Sequence, residues 1–433
     1  MFPDTHFIRP PNPGLGIGSS RTSATILFLA VLPLVLPGVA AAQEPGDSGY
    51  TLEELLAIGR ERNPMVLALR AEHAALDGDR RDAGRFANPE LQYETGTGDP
   101  FDAIGSRSVH GFALQQTIEN PLVRHHRMSS LRSEVEAAGQ SVRSGEADVE
   151  YEIRIHFYRI LYLRQLLGLA RLNEEALEAI RGLIETRAEL GEVRELEAIR
   201  LRVEHLRSRN QVEAVEMELD QFRRHLNTYL GSVLPDDFIL TGELTAEPFH
   251  PDLRQVVEET LLRHPTLQGA RLEREGAEAK LRATRLRWLP DPVLSGASRT
   301  ELDGEVRTIG IGLQIPLWNQ SRAASDRDRR RVEATENRER AIQLEVEAQL
   351  MIHHNHLRLH RQTLSLFEEG LLTEGDASME IAETSYRQGE ISFVEYLDAR
   401  RTYHSIQIEY QQALFDWNRE RAEFDRAAGG GTL

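Results

Sequence analysis

The chain has 433 residues, no cysteine and a formal net charge of −18 at pH 7. The absence of cysteine excludes a disulfide framework and thiolate metal ligands. A polyanion is not expected to bind nucleic acid, because binding to phosphates requires clustered Lys and Arg.

The N-terminal segment predicts export. Residues 24–40 form an apolar run, ATILFLAVLPLVLPGVA, that follows Arg21 and leads into alanines at positions 40–42. This order is typical of a secretory signal peptide with an A-x-A cleavage site. A transmembrane anchor is the alternative, but the run is short for a bilayer span and contains prolines. We therefore expect residues 1–42 to be a leader that is cleaved near Ala42. The pattern does not identify the true start codon.

The rest of the chain is one unit repeated twice. Residues 51–72 match residues 252–273, and further landmarks recur in the same order. The other matched pairs are 88–91 with 291–294, 113–115 with 312–314, and 190–193 with 388–391. Chance similarity between two helical stretches would not preserve this order, so we infer an internal duplication.

The duplication defines the predicted domain organisation. A first structural repeat is expected at 43–232 and a second at 252–433. Between them, residues 233–251 contain Pro235, Gly242, Pro248 and Pro251 and form a predicted linker. Each repeat is predicted to contain a helix, two short strands, a long helix, a turn and a further helix.

Apolar side chains recur every seven residues along the long helices. These positions are Val149, His156, Leu163, Ala170, Leu177 and Ile184 in the first repeat, and Leu350, Leu357, Leu364 and Leu371 in the second. Such sustained spacing predicts helices packed along their length as coiled coils. The first pattern runs from Pro121 to Arg187 without an internal proline, which predicts a rod on the order of 100 Å long.

Strict alternation over residues 307–315, RTIGIGLQI, predicts a strand with one apolar face and one polar face. The apolar positions are Ile309, Ile311, Leu313 and Ile315. Residues 293–299 are its hairpin partner through Asp303-Gly304, and residues 90–95 and 109–117 are the equivalent pair in the first repeat. Nine residues suffice for a tilted strand to cross a bilayer, whereas no apolar stretch after the leader is long enough to do so as a helix.

Four strands per chain are too few to close a barrel around a channel. An open sheet edge in lipid would leave backbone groups without hydrogen bonds, at several kcal/mol each. We therefore expect a homotrimer that completes a 12-stranded β-barrel, with the apolar positions of residues 307–315 facing lipid. A small soluble sheet capping a coiled coil is the alternative, but Gly310 and Gly312 on the polar face argue against it.

These segments resemble the TolC-type outer-membrane efflux proteins from residue 51 to about 429. The resemblance is carried by the NPEL-type strand entries, the strand exits LQQTIENPL and GLQIPLWNQ, and the LGEV and QGEIS…EYLDARR stretches, in order and in duplicate. Residues 88–91 and 388–392 are most similar to the CzcC-like heavy-metal efflux branch.

The family resemblance implies a mainly α fold with a small β part. Long antiparallel coiled-coil helices would form a periplasmic α-barrel below a β-barrel in the outer membrane of a Gram-negative bacterium. The implied partners are outer-membrane lipid, a periplasmic adaptor protein and an inner-membrane pump of the resistance-nodulation-division type. The implied function is export of substrate, with heavy-metal cations as the expected cargo.

Roles for the helical turns also come from the resemblance. Gly191-Glu192 and Gly389-Glu390 resemble the periplasmic tips that meet the adaptor, where Gly suits a tight reversal. Glu395 and Asp398 correspond to acids that form rings in relatives with a closed tunnel, because threefold symmetry turns each acid into a ring. Some relatives have Asp where this chain has Glu395. Glu197 is the equivalent acid in the first repeat, and a solvated acid on a helix face is the alternative for each.

The segment MIHHNHLRLH at 351–360 places His353, His356 and His360 on one helical face, a spacing that suits metal ligands. However, His353 and His360 each follow a leucine of the heptad pattern by three residues, which favours half-buried packing residues. We assign no metal ligand here. No nucleophile elbow, phosphate loop or carboxylate pair indicates catalysis or a cofactor site, so an enzyme is not expected.

Three functions remain to be separated. The first is a conduit for heavy-metal cations, and the second is an exit duct for drugs or for type I secreted proteins. The third, from another class, is a periplasmic coiled-coil scaffold without a pore.

Overall fold

The computed structural model describes residues 49–98, 107–189, 194–301, 304–315 and 322–430. The predicted leader at 1–42 and the predicted tip at Gly191-Glu192 lie outside these described residues. None of the described helices is both long enough and apolar enough to cross a membrane.

The elements of the described residues fall into two sets, one within each predicted repeat. The first repeat contains α1 (Leu52–Arg62), α2 (Pro64–Ala83), β1 (Glu90–Gly98), β2 (Arg107–Thr117), α3 (Pro121–Glu189) and α4 (Glu195–Tyr229). The second contains α5 (Leu253–Arg263), α6 (Pro265–Leu286), β3 (Asp291–Glu301), β4 (Gly304–Gln314), α7 (Arg322–Leu366), α8 (Leu372–Gln388) and α9 (Phe393–Ala427). A π-helical turn, Phe367–Leu371, joins α7 to α8.

The opening helix of each repeat is two helices, where the sequence predicted one. The break in the first repeat falls at Asn63, which ends α1 with its backbone N–H bonded to the Gly59 carbonyl at 3.0 Å. Its side chain then accepts the backbone N–H of Met65 at 2.8 Å and begins α2. Pro64 forces this break, because a proline disfavours helical geometry in the residue before it.

The predicted coiled-coil positions form the core of the rods. Leu163, Ile184, Leu350 and Leu364 are fully or almost fully buried, as the heptad spacing requires. Leu371 does not follow the prediction, since its side chain is 45% exposed. The π-helical turn explains the difference, because it widens the helix by one residue per turn and rotates the following positions away from the seam.

All four strands form one antiparallel sheet in the order β1-β2-β3-β4. Each strand includes residues beyond the predicted segment, mostly at its hairpin end. Strand β4 ends at Gln314, so Ile315 follows the strand. The central pair, β2 and β3, comes from different repeats, so the sheet joins the two halves. The outer edges of β1 and β4 have no strand partner among the described residues.

The segment between the repeats is packed against α3. Leu234, Phe238 and Leu240 are buried in the main core. The guanidinium of Arg164 on α3 donates to the carbonyls of Leu240 and Gly242, both at 2.8 Å. The predicted linker is therefore fixed by apolar burial and by hydrogen bonds to the first repeat.

Candidate functional site

Large apolar side chains lie together on one face of the sheet. Residues that are paired across antiparallel strands share a face, and each strand alternates between faces. The register pairs Leu91 with Leu114, and Leu294 with Ile311. The exposed large apolar residues of this face are Leu91, Tyr93, Phe112, Leu114, Leu294, Ile309, Ile311 and Leu313. We call this set the apolar sheet face.

Exposure on the apolar sheet face is unusually high. The side chain of Ile309, at the middle of β4, is 96% exposed, and that of Ile311 is 80% exposed. Contiguous apolar surface on this scale marks contact with lipid or with another protein. Ile315, the fourth predicted apolar position, is also exposed but follows the end of the strand.

The opposite face of the sheet has mostly polar, charged and small residues and contains an ion pair that spans three strands. Arg299 on β3 contacts Glu94 on β1 at 3.2 Å, although β2 lies between them. The residue between them in the register is Gly111. A Cβ atom at this position would lie 2.7 Å from Cγ of Arg299, so a side chain here would force the arginine to move.

The helical tip of the second repeat is a tight reversal. Gly389 ends α8 in the left-handed conformation at φ 78°. The N–H of Glu390 donates to the Ser385 carbonyl at 2.9 Å, which completes a Schellman motif. Ser392 then begins α9. The predicted tip residues Gly389 and Glu390 therefore lie in the turn itself.

Glu395 has a local structural role that the sequence analysis did not predict. Its carboxylate accepts the backbone N–H of Ser392 at 2.8 Å, and the Ser392 hydroxyl accepts the backbone N–H of Glu395 at 3.3 Å. This reciprocal pair is a capping box. The hydrogen bond from the Ser392 backbone lowers the pKa of Glu395. The S-x-x-E spacing at 392–395 is the signal that could have revealed it.

The three predicted gate acids have different surroundings. Glu395 and Asp398 are exposed and lie three residues apart on α9, so they share a helix face. Glu197 has the equivalent position in α4, but it is half-buried and forms an ion pair with Arg194 at 3.1 Å. Its charge is therefore compensated within one helical turn.

A separate hydrophobic cluster supports the tip. It contains Leu177 and Ile184 of α3, Leu201 of α4, Met379 of α8, and Phe393, Tyr396 and Leu397 of α9. The rings of Tyr386 and Tyr396 stack with centroids 4.9 Å apart. Glu395 and Asp398 therefore lie on the exposed side of α9, while Phe393, Tyr396 and Leu397 are buried in this cluster.

The histidine segment meets a buried carboxylate. His353 Nδ1 lies 2.7 Å from Glu420 Oε1, and His356 Nδ1 lies 3.3 Å from the same oxygen. Glu420 is on α9, so this contact joins α7 to α9. His353 and His360 are half-buried, as expected for packing residues, but the carboxylate opposite them was not predicted.

The chain resembles known outer membrane proteins in sequence and in fold. The model of the outer membrane efflux protein family matches residues 256–430. The cobalt-zinc-cadmium resistance protein CzcC of Cupriavidus metallidurans is 21% identical over 381 residues, which are 88% of this chain and 90% of that protein.

Among solved structures, a membrane protein from Pseudomonas aeruginosa is similar with a TM-score of 0.76 and 16% identity, over 88% of this chain and 90% of that one. The CmeC outer membrane channel of Campylobacter jejuni is similar with a TM-score of 0.75 and 13% identity, over 88% and 86% of the two chains. These likenesses confirm the predicted fold class.

Proposed function

Because the chain belongs to the outer membrane efflux protein family, as its sequence predicted, we propose that it is the outer-membrane channel of a tripartite system exporting heavy-metal cations. The proposed partners are a periplasmic adaptor protein and an inner-membrane pump of the resistance-nodulation-division type. The family consists of efflux proteins, and no catalytic role is proposed.

The apolar sheet face is the observation that carries the proposal. Eight large apolar side chains on one face of a four-stranded sheet require an apolar solvent, and the polar opposite face suits a water-filled lumen. Both sheet edges need strand partners in lipid. Three copies of the chain would supply 12 strands and close the barrel, so we propose a homotrimer with Ile309, Ile311, Leu313 and Ile315 toward outer-membrane lipid.

The length of the rods supports the periplasmic part of the proposal. Helix α3 has 69 residues, which corresponds to about 100 Å. This is about three times the hydrocarbon thickness of a bilayer, so the rods would extend far from the membrane. We propose that they form a periplasmic α-barrel that continues the lumen toward the pump.

The organisation along the chain follows from the same duplication. We propose a cleaved leader at 1–42, a first repeat at 43–232, a linker at 233–251 and a second repeat at 252–433. The buried leucines of the linker support its role as a fixed connection between the repeats.

The helical tips are the proposed docking and gating region. Gly191-Glu192 and Gly389-Glu390 would contact the adaptor. Glu395 and Asp398, exposed on one face of α9, would form acidic rings in a trimer. Glu197 is the weaker gate candidate, because Arg194 already pairs with it.

Heavy-metal cations are the proposed cargo. The support is the likeness to a protein named for cobalt, zinc and cadmium resistance. The strongly acidic composition, with a net charge of −18, is compatible with a cationic cargo. Drugs or type I secreted proteins are the alternative cargo.

Growth of a deletion strain on cobalt, zinc, cadmium, copper and a panel of drugs tests the cargo. We expect sensitivity to metals and unchanged tolerance of drugs, with recovery when the gene is returned. Sensitivity to drugs alone would reject the metal cargo and leave the channel in place.

Assembly is tested with protein extracted in detergent and reconstituted in planar bilayers. We expect trimers that conduct ions. Monomeric, freely soluble protein after leader cleavage would reject the channel and favour the scaffold. Ile309→Lys should prevent insertion, because a charge on the lipid face costs up to about 4 kcal/mol. Thr308→Lys, on the polar face of the same strand, is the matched control and should insert normally.

A further inference from the structure

We propose that His353, His356 and Glu420 form a binding site for a divalent transition-metal cation, with Zn²⁺ and Co²⁺ as the expected ions. The site joins α7 to α9 within one chain. The proposal is independent of the cargo that the channel exports, because all three binding residues belong to one chain.

The geometry of the three side chains is close to that of a coordinated site. Both imidazoles approach the same carboxylate oxygen, at 2.7 Å for His353 and 3.3 Å for His356. The three ligand atoms lie within 4.8 Å of one another. In a tetrahedral zinc site, metal–ligand distances of about 2.0–2.1 Å place ligand atoms about 3.3 Å apart. Small side-chain rotations are therefore enough to hold an ion.

The donor set selects the class of ion. Two imidazole nitrogens and one carboxylate oxygen are the protein ligands of open zinc sites, in which water takes the fourth position. Imidazole favours zinc, cobalt, nickel and copper, whereas magnesium and calcium prefer sites built only from oxygen. An open fourth position also permits exchange of the ion with solvent.

The burial of Glu420 provides an independent reason for a cation here. Its side chain is only 7% exposed, and a buried carboxylate needs a compensating partner. A divalent cation would compensate this charge more fully than neutral imidazole does.

The ion also has a route to the site. A cleft beside His353 is lined by Glu345, Gln349 and Glu423, whose side chains are polar or acidic. His356 is 53% exposed and reaches solvent directly. The buried carboxylate of Glu420 is therefore accessible from the surface past His353 and His356.

Binding is measured on the purified full-length chain in detergent, after removal of any affinity tag and treatment with a chelator. Co²⁺ is the spectroscopic probe, because its visible absorption intensifies on entering a tetrahedral site, and Zn²⁺ is then added as competitor. We expect one ion per chain. His356→Ala, His353→Asn and Glu420→Gln should each weaken binding at least about tenfold, the loss typical of even an outer partner of a metal ligand.

His354→Ala is the matched control. His354 is adjacent in sequence, but it lines a different cleft with Phe249 and Trp417, so its removal should leave the affinity within about twofold. Zn²⁺ should raise the unfolding temperature of the wild type and of His354→Ala but not of His356→Ala.

Two results would overturn the proposal: no stoichiometric Co²⁺ binding by the wild type, or equal binding by wild type and His356→Ala. His356 is exposed, so its variant is expected to fold even if Glu420→Gln does not. Because no transport is measured, either result leaves the proposed channel function untouched.

Discussion

Arg401 on α9 forms an ion pair with Glu204 on α4, and this contact joins the two repeats near the helical tips. The preceding residue, Arg400, donates through Nε to Asn173 on α3 at 3.2 Å. Two successive residues therefore fasten α9 to both long helices of the first repeat. Since α9 also contains the two exposed acids proposed as a gate, these contacts help to position those acids relative to the first repeat.

Reversing the charge at this contact should loosen the tip. In Arg401→Glu, the new carboxylate faces Glu204, and we expect a larger resting conductance in planar bilayers. A partly exposed pair contributes up to about 1 kcal/mol, so each reversed pair should raise the open fraction by up to about fivefold. The double variant Glu204→Arg/Arg401→Glu should return toward wild type. Arg209→Glu, which disturbs only the pair with Glu213 within α4, is the control, and equal conductance in all variants would reject the role.

The gate acids are tested by neutralisation. Asp398→Asn and Glu395→Gln should each increase the resting conductance severalfold, because each removes one acidic ring from the proposed trimer. Ser392→Ala separates charge from capping, since it breaks the capping box but keeps the Glu395 carboxylate. If Ser392→Ala opens the channel as much as Glu395→Gln does, then Glu395 acts through the helix cap and not through a ring.

The reversal at Gly389 should be sensitive to a side chain. Gly389→Ala places an L-residue at φ 78°, which costs about 1–2 kcal/mol. Hydrogen exchange of the amides around the turn should therefore accelerate about tenfold. Gly168→Ala is the control, because Gly168 is exposed in the interior of α3 and should gain about 0.5–1 kcal/mol. Equal exchange at the turn in Gly389→Ala and the wild type would contradict the strained geometry.

The buried acid Asp425 predicts a pH dependence of stability. Burial raises its pKa above the ordinary value of 3.8, although Arg421, at 3.0 Å, and Arg154 lower it. The folded protein thus binds this proton more tightly than the unfolded chain, so the contribution of Asp425 to stability falls as pH rises from about 3.8 through its raised folded pKa. In Asp425→Asn this loss should be absent. The unfolding temperature of Asp425→Asn, relative to that of the wild type, should therefore rise between pH 4 and pH 7. A difference that stays constant over this range would contradict the raised pKa of Asp425.

Much of the fold was predictable because it depends on local periodicity. The helix predicted at 121–187 is found at Pro121–Glu189, and the alternation at 307–315 identified β4 to within a few residues. The helix break at Asn63 was not predicted, because heptad spacing and repeat matching do not account for the effect of a single proline on the helix. The exposure of Leu371 was missed because heptad counting assumes a uniform helix, whereas a π-helical turn intervenes.

The candidate sites were only partly predictable. The sequence singled out His353 and His356, but their partner Glu420 lies 67 residues from His353, on another helix. The acid Glu395 was identified, while its bond to Ser392 was overlooked although the local motif was readable.

By itself, the sequence determined the duplication, the lengths of the rods and the two-faced strands, because these follow from the spacing of residues along one element. Only the tertiary structure decided that the apolar residues of four strands share one face, that Arg401 meets Glu204, and that Glu420 meets two histidines. The physical reason is that contacts between elements depend on strand register and on the rotation of packed helices about their axes. Many combinations of these satisfy the same periodic pattern, and burial of the whole set of side chains selects one.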